Sequence, residues 1–96
     1  MLKILKVKGD SLYPDYKNGD FVVIAKSPFC TGRIHVDDVI AFNQVQYGLM
    51  IKKVAAVLPE GLNVRGSLVE SIDSRQFGLV PRQDVIGKVI WHIRQP

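Results

Sequence analysis

The chain has 96 residues, of which 47% are hydrophobic and 23% are charged. This composition excludes a disordered or fibrous chain, and the length fits one packed domain, which we expect to span residues 1–96. The formal net charge of +4 comes from basic residues scattered along the sequence. No basic stripe points to nucleic acid, so no nucleic-acid partner is expected.

Cysteine content and hydropathy exclude further classes of protein. The single cysteine, Cys30, cannot close an internal disulfide, and with only two histidines it offers too few ligands for a structural zinc site. No stretch approaches the roughly 20 apolar residues that cross a bilayer. We therefore expect neither an anchor nor a signal peptide, and a cytoplasmic protein whose contact with a membrane is at most peripheral.

Apolar residues recur at the spacing typical of strands. The alternating residues at the start of the chain predict the first strand, and continuous or alternating apolar runs with many β-branched residues predict others. Glycine and proline turn signals separate these runs. The further predicted strands cover residues 21–25, 38–42, 47–58, 62–65, 79–80 and 85–93. The pattern predicts an all-β or mainly β fold, as a compact single-domain β barrel or folded sheet assembly.

Three segments contain residue types that can carry chemistry, and the first is Gly9-Asp10-Ser11-Leu12-Tyr13-Pro14. A serine at the end of a strand, where the backbone bends, can project its hydroxyl beyond the sheet. Backbone N–H groups at such a bend can stabilise an oxyanion. Taken alone, the same residues also build an ordinary turn.

The second segment places Lys52 and Lys53 inside the apolar run 49–58. Adjacent side chains of a strand point to opposite faces, so one lysine faces each way, and periodicity does not choose between them. Burial destabilises an ammonium and can turn a lysine into a base at neutral pH. The alternative is that both stems cover apolar surface while the ammonium groups stay in water.

The third segment, Ser71-Ile72-Asp73-Ser74-Arg75-Gln76-Phe77-Gly78-Leu79-Val80-Pro81, concentrates hydroxyls, a carboxylate and a guanidinium. Asp73 and Arg75 can pair and brace a loop, and a neighbouring hydroxyl can orient a lysine amine. The competing interpretation is a polar surface loop with a weak ion pair.

In this order the three segments resemble the conserved boxes of the signal peptidase I family of serine–lysine peptidases. The first is similar to the nucleophile box, the run Met50-Ile51-Lys52-Lys53-Val54 to the base box, and the third to the last box. The resemblance spans most of the chain. Leu12 stands where methionine is usual, and the stretch from Gly66 to Asp73 is one residue shorter than in the family.

The resemblance implies a role for each matching residue. Ser11 would be the nucleophile, Lys52 the general base, and Lys53 its solvent-facing neighbour. Ser71 would hydrogen-bond the base amine. Gly9, Asp73 and Arg75 would support the catalytic site. Leu12, Tyr13 and Pro14 would contact the substrate.

The resemblance also implies what the protein acts on. The substrate would be a precursor protein or leader peptide, laid as a strand along a sheet edge and cut after small residues such as alanine. This chemistry requires no metal and no organic cofactor. A family member without an anchor is implied, and a membrane association would follow if the chain were a trimmed core of a longer enzyme.

Two alternatives remain at this point. A non-catalytic β-barrel module could use Tyr13, Tyr16 or Phe29 to hold a peptide or a single-stranded nucleic acid. A serine–histidine–aspartate triad could combine a histidine with an aspartate, although no Gly-x-Ser-x-Gly motif is present. Its candidate members are His35 or His92 with Asp37 or Asp38.

Overall fold

A computed structural model describes residues 2–7, 16–26, 34–66 and 72–94. Within them the chain forms six strands, one four-residue α-helix and one 3₁₀ turn, and the prediction of a mainly β protein is confirmed. No helix in these ranges is long and apolar enough to cross a bilayer. The elements are β1 (Leu2–Lys6), β2 (Phe21–Lys26), β3 (Val39–Gln44), β4 (Gly48–Leu58), β5 (Gly61–Arg65), α1 (Ser74–Phe77), the 3₁₀ turn (Arg82–Asp84) and β6 (Val85–Ile93).

The strands form one antiparallel sheet in the order β1-β2-β6-β3-β4-β5. The last strand of the chain, β6, therefore lies inside the sheet, between β2 and β3. Short turns join β3 to β4 and β4 to β5. At the start of β5, Gly61 has φ +155°, and a Cβ atom there would meet the carbonyl oxygen of Val80 at 2.8 Å. Glycine thus lets the segment before β6 approach β5.

The described strands do not close into a barrel, so that part of the fold prediction is wrong. β1 and β5 are the two ends of the sheet. The predicted strand at residues 79–80 is reduced to one bridge, in which Val80 pairs with Leu62 on the outer edge of β5. Pro81 follows at once and has no N–H group, and the 3₁₀ turn comes next, so a second ladder cannot extend from this bridge. The result is a folded sheet that curls without closing.

Irregular pairing bends the sheet at three places. The register shifts between Val23 and Ile24, between Ala41 and Phe42, and between Val54 and Ala56. Each shift leaves one extra residue on one strand, which bends that strand and increases the local twist. The sheet can therefore wrap around an apolar core.

Apolar side chains pack on both faces of the sheet, which explains why β3 is buried along four consecutive residues. Ile40 and Phe42 belong to a cluster on one face, whereas Ala41 belongs to the cluster on the other. The first cluster, which we call the site-side core, also contains Ile34, Val54, Leu62, Val64, Val80 and Val85. The second, the opposite core, contains Val7, Val22, Ile24 and Ala41.

Candidate functional site

Lys52 is buried in the middle of β4. Its Cα partner on β3 is Ile40, and alternation along the strand places Val54 on the same face. Both neighbours are fully buried, and Lys52 itself is only 2% exposed. Lys53 points to the other face and is half-buried. The structure thus separates the two lysines, which periodicity alone left equivalent.

The surroundings of Lys52 change its protonation equilibrium. Burial lowers the pKa of Lys52 below the ordinary lysine value, the carboxylate of Asp73 opposes this shift, and the guanidinium of Arg75 adds to it. The lowered pKa has a simple cause, because an ammonium loses hydration energy when apolar side chains surround it. A lowered pKa favours the neutral amine, the form that can accept a proton.

Asp73 is fully buried, and both backbone and side-chain donors bind its carboxylate. Its carboxylate accepts from the backbone N–H of Gly66 at 3.0 Å and of Arg75 at 2.9 Å. It also accepts from the Arg75 side chain, Nε at 2.9 Å and Nη2 at 2.8 Å. Burial by itself would raise the pKa of Asp73, but the hydrogen bonds from Arg75 and Gly66 lower it to about 2. The carboxylate is therefore a fixed negative charge near Lys52.

A short helix holds this carboxylate in place. Asp73 is the N-cap of α1, and a capping box joins it to Gln76, whose side-chain oxygen accepts from the Asp73 backbone N–H at 2.9 Å. The Ser74 hydroxyl accepts from the backbone N–H of Val64 on β5 at 2.8 Å. These bonds fasten the segment 72–77 to β5. In the sequence, Ser74 stands out only as part of a polar stretch, although the Asp-x-x-Gln spacing is the signal of such a cap.

Lys52 also lies in a row of side chains that crosses five strands. Direct cross-strand partners project from the same face, and the pairing connects Lys52 through Ile40 to Lys88 on β6. Lys88 Nζ lies 3.2 Å from the carboxylate of Asp38. From Lys88 the row continues to Ala25 on β2 and Leu2 on β1. No local pattern in the sequence indicates the Lys88–Asp38 ion pair.

The part of β4 that precedes Lys53 has a partner on one side only, as far as the described residues extend. β3 pairs with β4 from Gly48 to Lys53, whereas β5 pairs with it from Lys53 onward. Among the described strands, none covers the outer edge of β4 next to Lys52, the kind of edge on which an extended peptide can add as a strand.

The two histidines lie beside different aspartates, and Ser11, the serine that a triad would need, lies outside the described residues. His92 Nε2 lies 2.7 Å from the carboxylate of Asp20, a residue that was not among the triad candidates. His35 Nδ1 lies 3.8 Å from Asp38, with the imidazole 76% exposed. His92 follows Trp91, which shares the face of Lys88, so His92 belongs to the opposite face.

Six of the predicted site residues lie outside the described residues. They are Gly9, Ser11, Leu12, Tyr13, Pro14 and Ser71. The distance between the predicted nucleophile and Lys52 therefore remains a prediction. Of the predicted site residues, the structure brings together Lys52, Asp73 and Arg75.

No group of three or more histidine, cysteine, aspartate or glutamate side chains that could hold a metal ion occurs in ranges 2–7, 16–26, 34–66 and 72–94. Comparisons with known proteins return no family model that matches the chain and no significant match among curated proteins.

Proposed function

We propose that the protein is a serine endopeptidase that uses a Ser11–Lys52 dyad to remove leader or signal segments from precursor proteins. One observation carries the proposal: a lysine inside an apolar sheet is 2% exposed, with a lowered pKa, beside a braced Asp73–Arg75 pair. Burying an amine costs free energy that a purely structural strand position would avoid. A role as the catalytic base would account for the burial of this amine despite its cost in stability.

Lys52 would act twice in the reaction. As Ser11 Oγ bonds to the peptide carbonyl carbon, its proton passes to the neutral Lys52 amine. The ammonium then gives that proton to the departing amine nitrogen as the C–N bond breaks, leaving an acyl-enzyme. Water attacks the ester, with Lys52 accepting its proton and returning one to Oγ.

The supporting residues would act on charge and orientation. The Ser11 backbone N–H would donate to the oxyanion, with Gly9 leaving the approach open. Ser71 would accept a hydrogen bond from the Lys52 amine. Asp73 and Arg75 would hold the adjoining loop rigid without exchanging protons with the substrate.

The precursor would bind as an added strand along the outer edge of β4, which no described strand covers. Backbone groups of the stretch 48–51 would pair with the peptide and lead its scissile bond toward Lys52. Main-chain pairing is insensitive to side chains, so selectivity would come from the small residues that fit beside the buried amine.

The partner class can be extended to a membrane surface, reached peripherally from the cytoplasm. On the face that carries Lys88, pairing of β1, β2 and β6 sets three rows of side chains side by side. Trp91 is 66% exposed, and Leu2 and Ile4 are each 62% exposed. Such a surface with lysines at its margin suits the interface of a bilayer with anionic lipids. We call it the apolar sheet face: Leu2, Ile4, Phe21, Val23, Ala25, Trp91 and Ile93, with Lys6 and Lys88 at two corners.

The decisive experiment uses a panel of leader peptides that end in Ala-x-Ala followed by a mature sequence. The wild-type protein should cut after the second alanine, and Ser11→Ala and Lys52→Ala should each lower kcat by at least about 10³-fold. Lys53→Ala is the matched control, because it removes a neighbouring lysine of the same strand from the other face. Equal cleavage by all four proteins would end the proposal, and binding without cleavage would favour the binding module.

A further inference from the structure

A buried aspartate, a histidine and a tyrosine form a second polar cluster, on the face of the sheet away from Lys52. Asp20 is 2% exposed, and its carboxylate lies 2.7 Å from His92 Nε2. The ring of Tyr16 stacks on the imidazole of His92, with the ring centroids 4.2 Å apart and the planes 20° apart. The proposed reaction uses none of these three residues.

The cluster closes the base of the segment that contains Ser11. Val7 precedes residues 8–15, and its backbone N–H donates to the carbonyl of Asp20 at 2.7 Å. The N–H of Gly19 returns a bond to the carbonyl of Val7 at 2.9 Å. The Asp20 carboxylate also accepts from the N–H of Lys17 at 3.0 Å. Both ends of the segment are thereby tied together at Asp20.

His92 connects this base to the strand that carries Lys52. It lies on β6, which pairs with β3, and β3 pairs with β4. A side chain on β6 that holds Asp20 and Tyr16 therefore fixes the ends of segment 8–15 relative to Lys52. Because the imidazole is only 16% exposed and stacks on Tyr16, it has little freedom to move, which suits a residue that sets a distance.

We propose that His92 is a positioning residue for the nucleophile: through Asp20 and Tyr16 it clamps the base of the Ser11 segment at a set place relative to Lys52. The catalytic part of this inference rests on the proposed peptidase function, but the clamp itself does not. Loss of the clamp would make productive encounters between Ser11 and Lys52 rarer, which lowers kcat. It would affect the pairing of a peptide with the edge of β4 less, so KM should change less than kcat.

The test compares His92→Leu, which removes the hydrogen bond, with His92→Gln, whose amide N–H₂ can still donate to Asp20. His35→Leu is the matched control, because it removes an exposed histidine. The first measurement is the rate of tryptic cleavage after Lys8, the one tryptic site within residues 8–15. The second is kcat and KM on the leader peptides. Circular dichroism establishes that each variant is folded.

His92→Leu should raise the rate of cleavage after Lys8 by about tenfold and lower kcat by about tenfold, with KM within about twofold. His92→Gln should restore most of both values, and His35→Leu should match the wild type. Wild-type behaviour of His92→Leu in both measurements would overturn the clamp. If the wild type cleaves no peptide, the peptidase function fails while the tryptic rates still decide the clamp. If His92→Leu does not fold, Tyr16→Ala is judged by the same criteria.

Discussion

Arg75 holds the carboxylate of Asp73 with two parallel side-chain bonds, from Nε to Oδ1 at 2.9 Å and from Nη2 to Oδ2 at 2.8 Å. Both partners act on Lys52, but with opposite signs, since Asp73 raises the pKa of the lysine and Arg75 lowers it. The pair therefore exerts two opposing effects on the pKa of the buried amine, and its hydrogen bonds also stabilise the start of α1. Substitutions on either side of the pair have distinct consequences.

Replacing Arg75 with methionine should shift the pH dependence of cleavage toward alkaline pH. The substitution removes a cation that lowers the pKa of Lys52 and leaves the opposing Asp73 carboxylate unscreened, so both changes raise the lysine pKa. More Lys52 is then protonated at neutral pH, and kcat/KM there should fall severalfold. The measurement is the kcat/KM profile between pH 6 and about 10. Arg65→Met, which removes an exposed arginine from β5, should keep the wild-type profile.

Asp73 should contribute stability that disappears in acid. Its pKa is lowered to about 2 in the folded protein, below the value of about 3.9 in an unfolded chain. The stabilisation is thus fully present above pH 4 or so and is lost as the pH falls toward about 2, and we expect it to amount to about 1–2 kcal/mol. Urea unfolding at several pH values checks this: the stability gap between wild type and Asp73→Asn should narrow on acidification. Glu60→Gln, at an exposed turn residue, should follow the wild-type pH dependence.

Lys52→Met should abolish cleavage and yet stabilise the fold. An apolar side chain of similar length removes the cost of burying an amine, and we expect a gain of about 1–3 kcal/mol in the free energy of unfolding at neutral pH. Because the folded pKa of Lys52 is lowered, wild-type stability rises with pH between that value and the unfolded value near 10.4. The advantage of Lys52→Met should therefore shrink toward pH 10. Lys53→Met is the control, and an equal gain there would contradict the assignment of the cost to Lys52.

The apolar sheet face should bind vesicles that contain anionic lipid. Trp91→Ser and Ile4→Ser should each weaken binding about tenfold, because each removes a side chain whose full burial is worth about 1.5–3 kcal/mol. The affinity is measured by sedimentation with two kinds of vesicle, one of phosphatidylcholine alone and one of phosphatidylcholine mixed with the anionic phosphatidylserine. Val45→Ser removes an apolar side chain that is 97% exposed at the β3–β4 turn, and it should leave the affinity unchanged. A wild-type protein that stays in the supernatant with both vesicle compositions would contradict the prediction.

Strand positions could be predicted from the sequence because alternation and β-branched runs are local signals. The predicted run 85–93 coincides with β6, and the predicted run 47–58 differs from β4 by one residue. α1 was missed because it is four residues long and polar, and its one signal is the spacing of Asp73 and Gln76. Of the two predicted architectures, a barrel or a folded sheet assembly, the barrel is not formed by the described strands, because their last ladder stops at the bridge before Pro81. Periodicity does not contain that tertiary outcome.

The candidate site, like the fold, could be predicted from the sequence only where local signals determine it. Periodicity placed Lys52 and Lys53 on opposite faces, but only the pairing of β4 with β3 decides which face the core covers. The contact between Asp20 and His92 joins residues 72 positions apart, and neither residue carries a local pattern that names its partner. Resemblance supplied roles for residues 9–14 and for Ser71, and those roles remain predictions.

The central place of β6 has a consequence during protein synthesis. Among the described strands, only β6 joins the β1–β2 pair to the β3–β4–β5 unit by hydrogen-bonded pairing. A nascent chain that has emerged from the ribosome only as far as α1 would hold two separate fragments, one adjoining Ser11 and the other bearing Lys52. The proposed peptidase would thus gain its activity only after β6 has been synthesised and has paired with β2 and β3.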